Sequence, residues 1–163
     1  MLEQQHRILP AFVADCTLGK LAKWLRLAGF DTLYDKKPPD FWRIVKSAQS
    51  QDRFILSRTQ RVIRHLKDTQ GIFIESNDPV QQARQVIRYF NIQRTDLRPM
   101  SRCSRCNLEL QAAEPEQIRS IAPDYIRQSH EKFQMCRRCL RLYWPGSHGN
   151  RIAAKIDSWF HMA

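Results

Sequence analysis

No stretch of this 163-residue chain approaches the ~18–20 consecutive apolar residues that a membrane-spanning helix needs, which argues against a helical anchor. The first ten residues, Met1 to Pro10, lack the apolar segment and small-residue cleavage site of a secretory signal. A cytoplasmic, reducing location is the expectation that follows. Repeats and low-complexity segments are also missing, so solenoid and tail-like architectures drop out. Acidic residues are scarce: 16 Asp and Glu face 27 Lys and Arg, a net charge of +11. The excess is spread along the chain, with 17 basic against 10 acidic residues up to Arg98 and 10 against 6 beyond it. A polyanionic partner, most often nucleic acid, suits that balance, although a basic soluble surface has the same composition.

The length fits one ordinary domain plus a small appendage. An apolar run from Arg7 ends in the carboxylate of Asp15, as a buried strand does. After it, Leu18, Leu21, Ala22, Leu25 and Ala28 recur at helical spacing, and Gly29 is a stop. Asp31–Asp35 reads as a second strand, and Asp40 caps a helix through Gln51. Arg53–Ser57 and Gly71–Ser76 supply two more strands, with a helix from Arg61 to Lys67 between them. Asp78 caps, and Pro79 opens, a further helix to Asn91. Strands alternating with helices predict an α/β fold, a parallel sheet with helices on both faces. The alternation ends between Thr95 and Ser101, which divides the chain into an α/β domain, 1–98, and a cysteine-bearing domain, 99–163.

Cys103 and Cys106 form one CxxC pair and Cys136 and Cys139 another, with 29 residues between the pairs. In a reducing compartment two such pairs are metal ligands rather than disulfides. Two knuckles of this kind make a zinc ribbon, and four thiolates leave no open position for water, so the zinc is structural. The long insert carries its own structure, helical on either side of Pro123. The fifth cysteine, Cys16, reads as a small buried thiol.

Chemistry in an open parallel sheet collects at the carboxyl ends of its strands. Asp15 ends the first strand, Asp35 and Asp40 follow the second, and Asp78 follows the fourth. Acids converging there hold hard cations such as magnesium or manganese, which activate water and stabilise a leaving oxygen in phosphodiester cleavage. Taken singly, Asp40 and Asp78 read as helix caps ahead of ligands, and Asp35 as a turn residue. Asp15 is the best candidate ligand.

The segments DCTLGKLAKWLRLAGFDTLY, ILSRTQR, ESNDP, RCSRC and CRRCLRLYWPGSHGNR follow one another in an order that resembles the Mut-seven C-terminal family of PIN-like ribonuclease domains, with an appended zinc ribbon. The likeness runs from about Ile8 to Arg151. It implies a PIN-like α/β fold and metal-dependent cleavage of RNA, with Asp15, Asp40 and Asp78 at the family's acidic positions. One departure stands out. The family reads Thr-Arg-Asp at the end of the third strand, where this chain reads Ser57, Arg58 and Thr59. The missing acid leaves an RNA-binding module that does not cleave, or a ribonucleoprotein component, as the alternative to a metal-dependent endoribonuclease.

Lys20, Lys23 and Arg26 follow the first strand end and Arg58, Arg61 and Arg64 the third, placed to hold phosphates beside the acidic cleft. A solvated helix face explains them as well. Arg102, Arg105, Arg137 and Arg138 decorate the knuckles. Past the last cysteine, Tyr143 and Trp144 either stack bases or pack the ribbon onto the main domain. His148 either contacts phosphate or makes a structural hydrogen bond.

Overall fold

The computed structural model describes residues 8–38, 40–64, 66 and 70–161. Strand β1 (Phe12–Ala14) leads through a 3-10 turn at Cys16–Leu18 into helix α1 (Gly19–Leu27), then strand β2 (Thr32–Tyr34) and helix α2 (Phe41–Gln49). Strand β3 (Phe54–Ser57), helix α3 (Gln60–Ile63), strand β4 (Gly71–Phe73) and helix α4 (Pro79–Tyr89) complete the alternation. The four strands form one parallel sheet in the order β2-β1-β3-β4. Val13 registers with Leu33 on one side and Ile55 on the other, and Leu56 with Ile72. β1 and β3, the two inner strands, are apolar almost throughout, because both faces of a parallel sheet are covered.

The two faces bury different sets. Phe12, Ala14, Leu56 and Ile72 pack with Leu21 and Leu25 of α1 and Ala83 and Val86 of α4. Val13 and Ile55 point the other way, against Ile44, Val45 and Ala48 of α2 and Val62 of α3. This strand-by-strand alternation is the period-2 rule of a pleated sheet. Phe90, just past α4, seats its ring 5.2 Å from Phe12 and 4.7 Å from Phe54, both edge to face.

Local chemistry sets the helix starts. Asp40 accepts the amide of Arg43, and Asp78 accepts those of Val80 and Gln81 with Pro79 in the first turn. The helix expected from Arg61 to Lys67 spans Gln60–Ile63 among the described residues; His65 and Lys67, on which its continuation was expected, lie outside them. Gly29 takes φ +103°, and a side chain there would sit 2.7 Å from the carbonyl of Arg98. That close approach lays the connecting segment on the end of α1, where Arg98 and Met100 donate to the carbonyls of Ala28 and Leu27.

Beyond it lies a three-stranded antiparallel sheet, β5 (Gln111–Ala112), β6 (Gln134–Met135) and β7 (Leu142–Tyr143), in sequential order. The insert holds α5 (Pro115–Ile121) and α6 (Asp124–Ser129), one on each side of Pro123 as expected. Helix α7 (Ser147–Asp157) then returns to the first unit: Ile152, Ile156 and Trp159 are buried in the same cluster as Leu21 and Ala83. Cys16, expected to be buried, is half-buried, because the 3-10 turn directs Leu18 inward instead.

Candidate metal centre and strand-end site

The clearest site is the cysteine cluster. One sulfur from each of Cys103, Cys106, Cys136 and Cys139 lies within 4.8 Å of every other, and the Cys103 and Cys139 sulfurs are 3.6 Å apart. Ligands at ~2.3 Å around a tetrahedral zinc stand about 3.8 Å from one another, so the four sulfurs fit that ion. Both knuckles are built alike. The amide of Asn107 donates to the carbonyl of Cys103 and the amide of Leu140 to that of Cys136. Asn107 and Leu140 each take positive φ, 65° and 55°, which reverses the chain after the second cysteine of its pair. Asn adopts this region readily; Leu does so at a cost that the ligation geometry must offset.

Burial pushes the Cys103 thiol up, but hydrogen bonds from the Tyr143 hydroxyl and from nearby backbone amides outweigh it and bring it to about 6. Cys106 goes the other way, to about 12, through burial, its hydrogen bond with Cys139 and the neighbouring Cys103 charge. Four sulfurs this close cannot all carry charge without a cation, and a divalent ion removes that conflict. The Tyr143 hydroxyl donates to the Cys103 sulfur at 3.3 Å and accepts from the Ser104 amide at 3.2 Å. Tyr143 thereby orients a ligand from within the ribbon, a contact that is neither base stacking nor packing of the ribbon onto the main domain.

The knuckle is tied to the parallel sheet. Arg26, expected to face phosphates, is instead 8% exposed and donates to the carbonyls of Thr32, Ser104 and Arg105 at 2.7, 3.2 and 3.1 Å. The expectation is corrected because α1 turns this position toward the first knuckle, where carbonyls need a donor. Burial lowers the Arg26 pKa, opposed by the negative charges of Cys103, Cys106 and Asp31. Asn107 accepts the Thr32 amide at 2.9 Å and donates to Asp31 at 2.6 Å, and Arg53 pairs with Asp31 at 2.7 Å. Burial raises the Asp31 pKa, but hydrogen bonds from Arg53 and Asn107 outweigh it and hold the carboxyl below its ordinary value. Arg102 is likewise occupied, with Gly29, Asn107 and Glu109. None of this network was legible in the residue pattern; an Asn directly after a CxxC pair was its one local sign.

At the carboxyl end of β1, Asp15 is fully buried. One carboxylate oxygen accepts the amide and hydroxyl of Thr17, and the other the Ser57 hydroxyl and the Arg58 amide. A carboxylate offers about four lone-pair sites, and all four are engaged. Arg58 is half-buried, and its Nε is buried without an acceptor among the described residues. Asp35 pairs with Arg43 at 2.7 Å, and Asp40 and Asp78 are exposed and spend oxygens on their helix caps. Asp40, Thr59 and Arg61 line one open cleft of about 800 Å³ beside α2 and α3. Among the described residues, the cysteines are the one group of three or more His, Cys, Asp or Glu drawn together closely enough for an ion; Asp15, Asp40 and Asp78 form no such group. Magnesium and manganese are held by oxygens that converge on one point, and as they stand these three carboxylates form no three-ligand cluster.

Lys20, Lys23, Arg61, Arg64 and His148 are all exposed, as are Arg105, Arg137 and Arg138. Arg64 contacts Gln60 on its own helix at 3.2 Å. No helix is long and apolar enough to cross a membrane.

A four-stranded parallel α/β domain carrying a closed four-cysteine centre defines the class of this protein. Residues 10–156 match the Mut7-C RNAse domain, and the chain belongs to that family. No curated protein and no solved structure matches it.

Proposed function

We propose that this protein acts on RNA, holding the phosphate backbone at the carboxyl ends of β1 and β3, with Asp15 as the residue on which cleavage depends. The observation that supports this most directly is Arg58. Its amide fixes Asp15, while its Nε is buried beside the strand ends with no protein acceptor among the described residues. A buried guanidinium donor without a partner is costly, which favours a side-chain rearrangement that would bring the Arg58 guanidinium to a phosphate oxygen, the acceptor that matches it. Lys20 and Lys23, exposed on the helix that leaves β1, extend the positive surface. Ribonuclease-like activity accords with the family. The metal-dependent endonucleolytic form is the finer claim, with Asp15, Asp40 and Asp78 as its acids. These acids are not gathered on one point, so the part assigned to the chain's own residues is to bind and orient the backbone.

A second reading, RNA binding without cleavage, is favoured by two observations. Thr59 occupies the position of a family acid, and the four donors on Asp15 leave it no free lone pair. The zinc reading of the cysteines, the division of the chain at residue 98 and a cytoplasmic location, where thiolate sites persist, belong to the same proposal.

The test is a cleavage assay on mixed single-stranded RNAs with manganese, beside direct binding measurements, for wild type, Asp15→Asn and Arg58→Gln. Cleavage lost in Asp15→Asn with binding retained supports the nuclease. Binding without cleavage in wild type supports the second reading, and absence of RNA binding at low salt refutes both.

A further inference from the structure

A second pocket, of about 230 Å³, lies where α1, the second knuckle and α7 meet. Its walls include the rings of Trp24, Tyr143 and Trp144, and its lining also holds the basic side chains of Lys23, Arg141 and His148. No Asp or Glu lines it among the described residues. The three basic residues are exposed and both indoles are half-buried, so aromatic surface and positive charge are presented together. The walls are held from behind. Tyr143 is anchored through its hydroxyl to Cys103, and Phe133 backs Trp144 with ring centroids 6.2 Å apart. Lys155 of α7 adds a further cation, 5.4 Å from the Trp24 ring centre.

We propose that this pocket receives one unpaired nucleotide of a single-stranded RNA, its base against the indoles and its phosphate among Lys23, Arg141 and His148. The proposal rests on the RNA reading above and names a second contact point, with Lys23 common to both. Charge complementarity selects the occupant: an aromatic wall ringed by cations and free of acids suits a flat, anionic unit. Size narrows it further. The volume falls just below the ~300–1,000 Å³ of pockets that enclose drug-sized ligands, which suits one ring system rather than several. Because every base has a π face, stacking of this kind tolerates sequence, and the site serves to grip the strand rather than to read it.

The experiment uses the full, zinc-loaded chain and compares an eight-nucleotide single-stranded RNA with an abasic oligomer of the same length and charge at low salt. Wild type is expected to bind the RNA at least about tenfold more tightly than the abasic strand, within the range stacking on an aromatic side chain supplies. Trp24→Leu and Trp144→Leu, each checked for unchanged zinc content and melting, are expected to erase most of that gap while leaving abasic binding in place. Arg141→Gln should weaken both strands alike. Equal binding of the two strands by wild type, or an intact gap in both tryptophan variants, overturns the pocket while leaving RNA binding itself standing. Failure of wild type to bind either strand overturns the RNA reading and the pocket with it, and capture of an acidic aromatic peptide instead would assign the pocket to a protein partner.

Discussion

Replacing Arg26 with methionine should loosen the parallel sheet and the cysteine knuckle together. The side chain makes three hydrogen bonds to backbone carbonyls, one on β2 and two inside the first knuckle. Each buried acceptor left empty costs ~1–3 kcal/mol. Relief of the guanidinium's desolvation, several kcal/mol in an interior, offsets part of that loss. A net destabilisation of about 3 kcal/mol is the balance, and at ~2–4 °C per kcal/mol for a chain of this size the midpoint should fall by roughly 6–12 °C. The same hydrogen bonds make the effect conditional on metal. Chelation dissolves the knuckles, because ligation there is folding free energy, and so frees the Ser104 and Arg105 carbonyls and Asn107. Wild type should therefore lose sheet stability on chelation, whereas Arg26→Met, in which the link is already broken, should lose distinctly less. Thermal melts of both proteins with and without chelator form a double-perturbation cycle whose difference isolates the junction. Equal shifts on chelation in the two proteins would refute the coupling. So would an Arg26→Met midpoint within about 1 °C of wild type, a change too small for the removal of a buried hydrogen-bonding group.

Elemental analysis should find one zinc per chain, and Cys136→Ser with Cys139→Ser should abolish it together with the C-terminal fold; a well-folded, zinc-free double variant would contradict this. Lys20→Glu with Lys23→Glu should weaken RNA binding across sequences and flatten its salt dependence by ~0.7 in slope for each phosphate no longer neutralised, read from titrations at several salt concentrations. Thr59→Asp places a second acid on the cleft that Asp40 lines, so it should tighten manganese binding by calorimetry and raise any cleavage, with the gain removed by Asp40→Asn. Asp31 has a lowered pKa in the folded chain, so its contribution is complete above the ordinary carboxylate value near ~3.9 and is lost as pH falls through the folded value. The stability gap between wild type and Asp31→Asn should accordingly narrow on acidification, and a gap that is constant from neutral pH into the acid range would disprove the assignment.

Much of the architecture was written in short-range pattern. Asp40, Asp78 and Pro79 mark helix starts because caps act over three residues, and the structure places both acids at those caps. The two CxxC pairs specify a metal site because each knuckle closes within a few residues, whatever lies between them. The run ending at Asp15 and the segment Arg53 to Ser57 read as strands from their apolar residues, while the sheet order alone makes β1 and β3 the inner pair, dry on both faces. Other features depend on residues far apart in the chain. Arg26 sits on a helix whose charges look outward by spacing, yet its partners lie 78 and 79 residues away, and only the docking of the knuckle turns it inward. Asp15 was legible as a strand-end acid, but not that Ser57, 42 residues on, would fill one of its oxygens. Nor could spacing show that Asp15, Asp40 and Asp78 form no three-ligand cluster among the described residues, or that Trp24, Trp144 and His148 share one pocket. Capping and knuckle closure are fixed by a few neighbouring bonds, whereas burial, lone-pair occupancy and the meeting of distant side chains depend on how helices and knuckles pack, which no local rule contains.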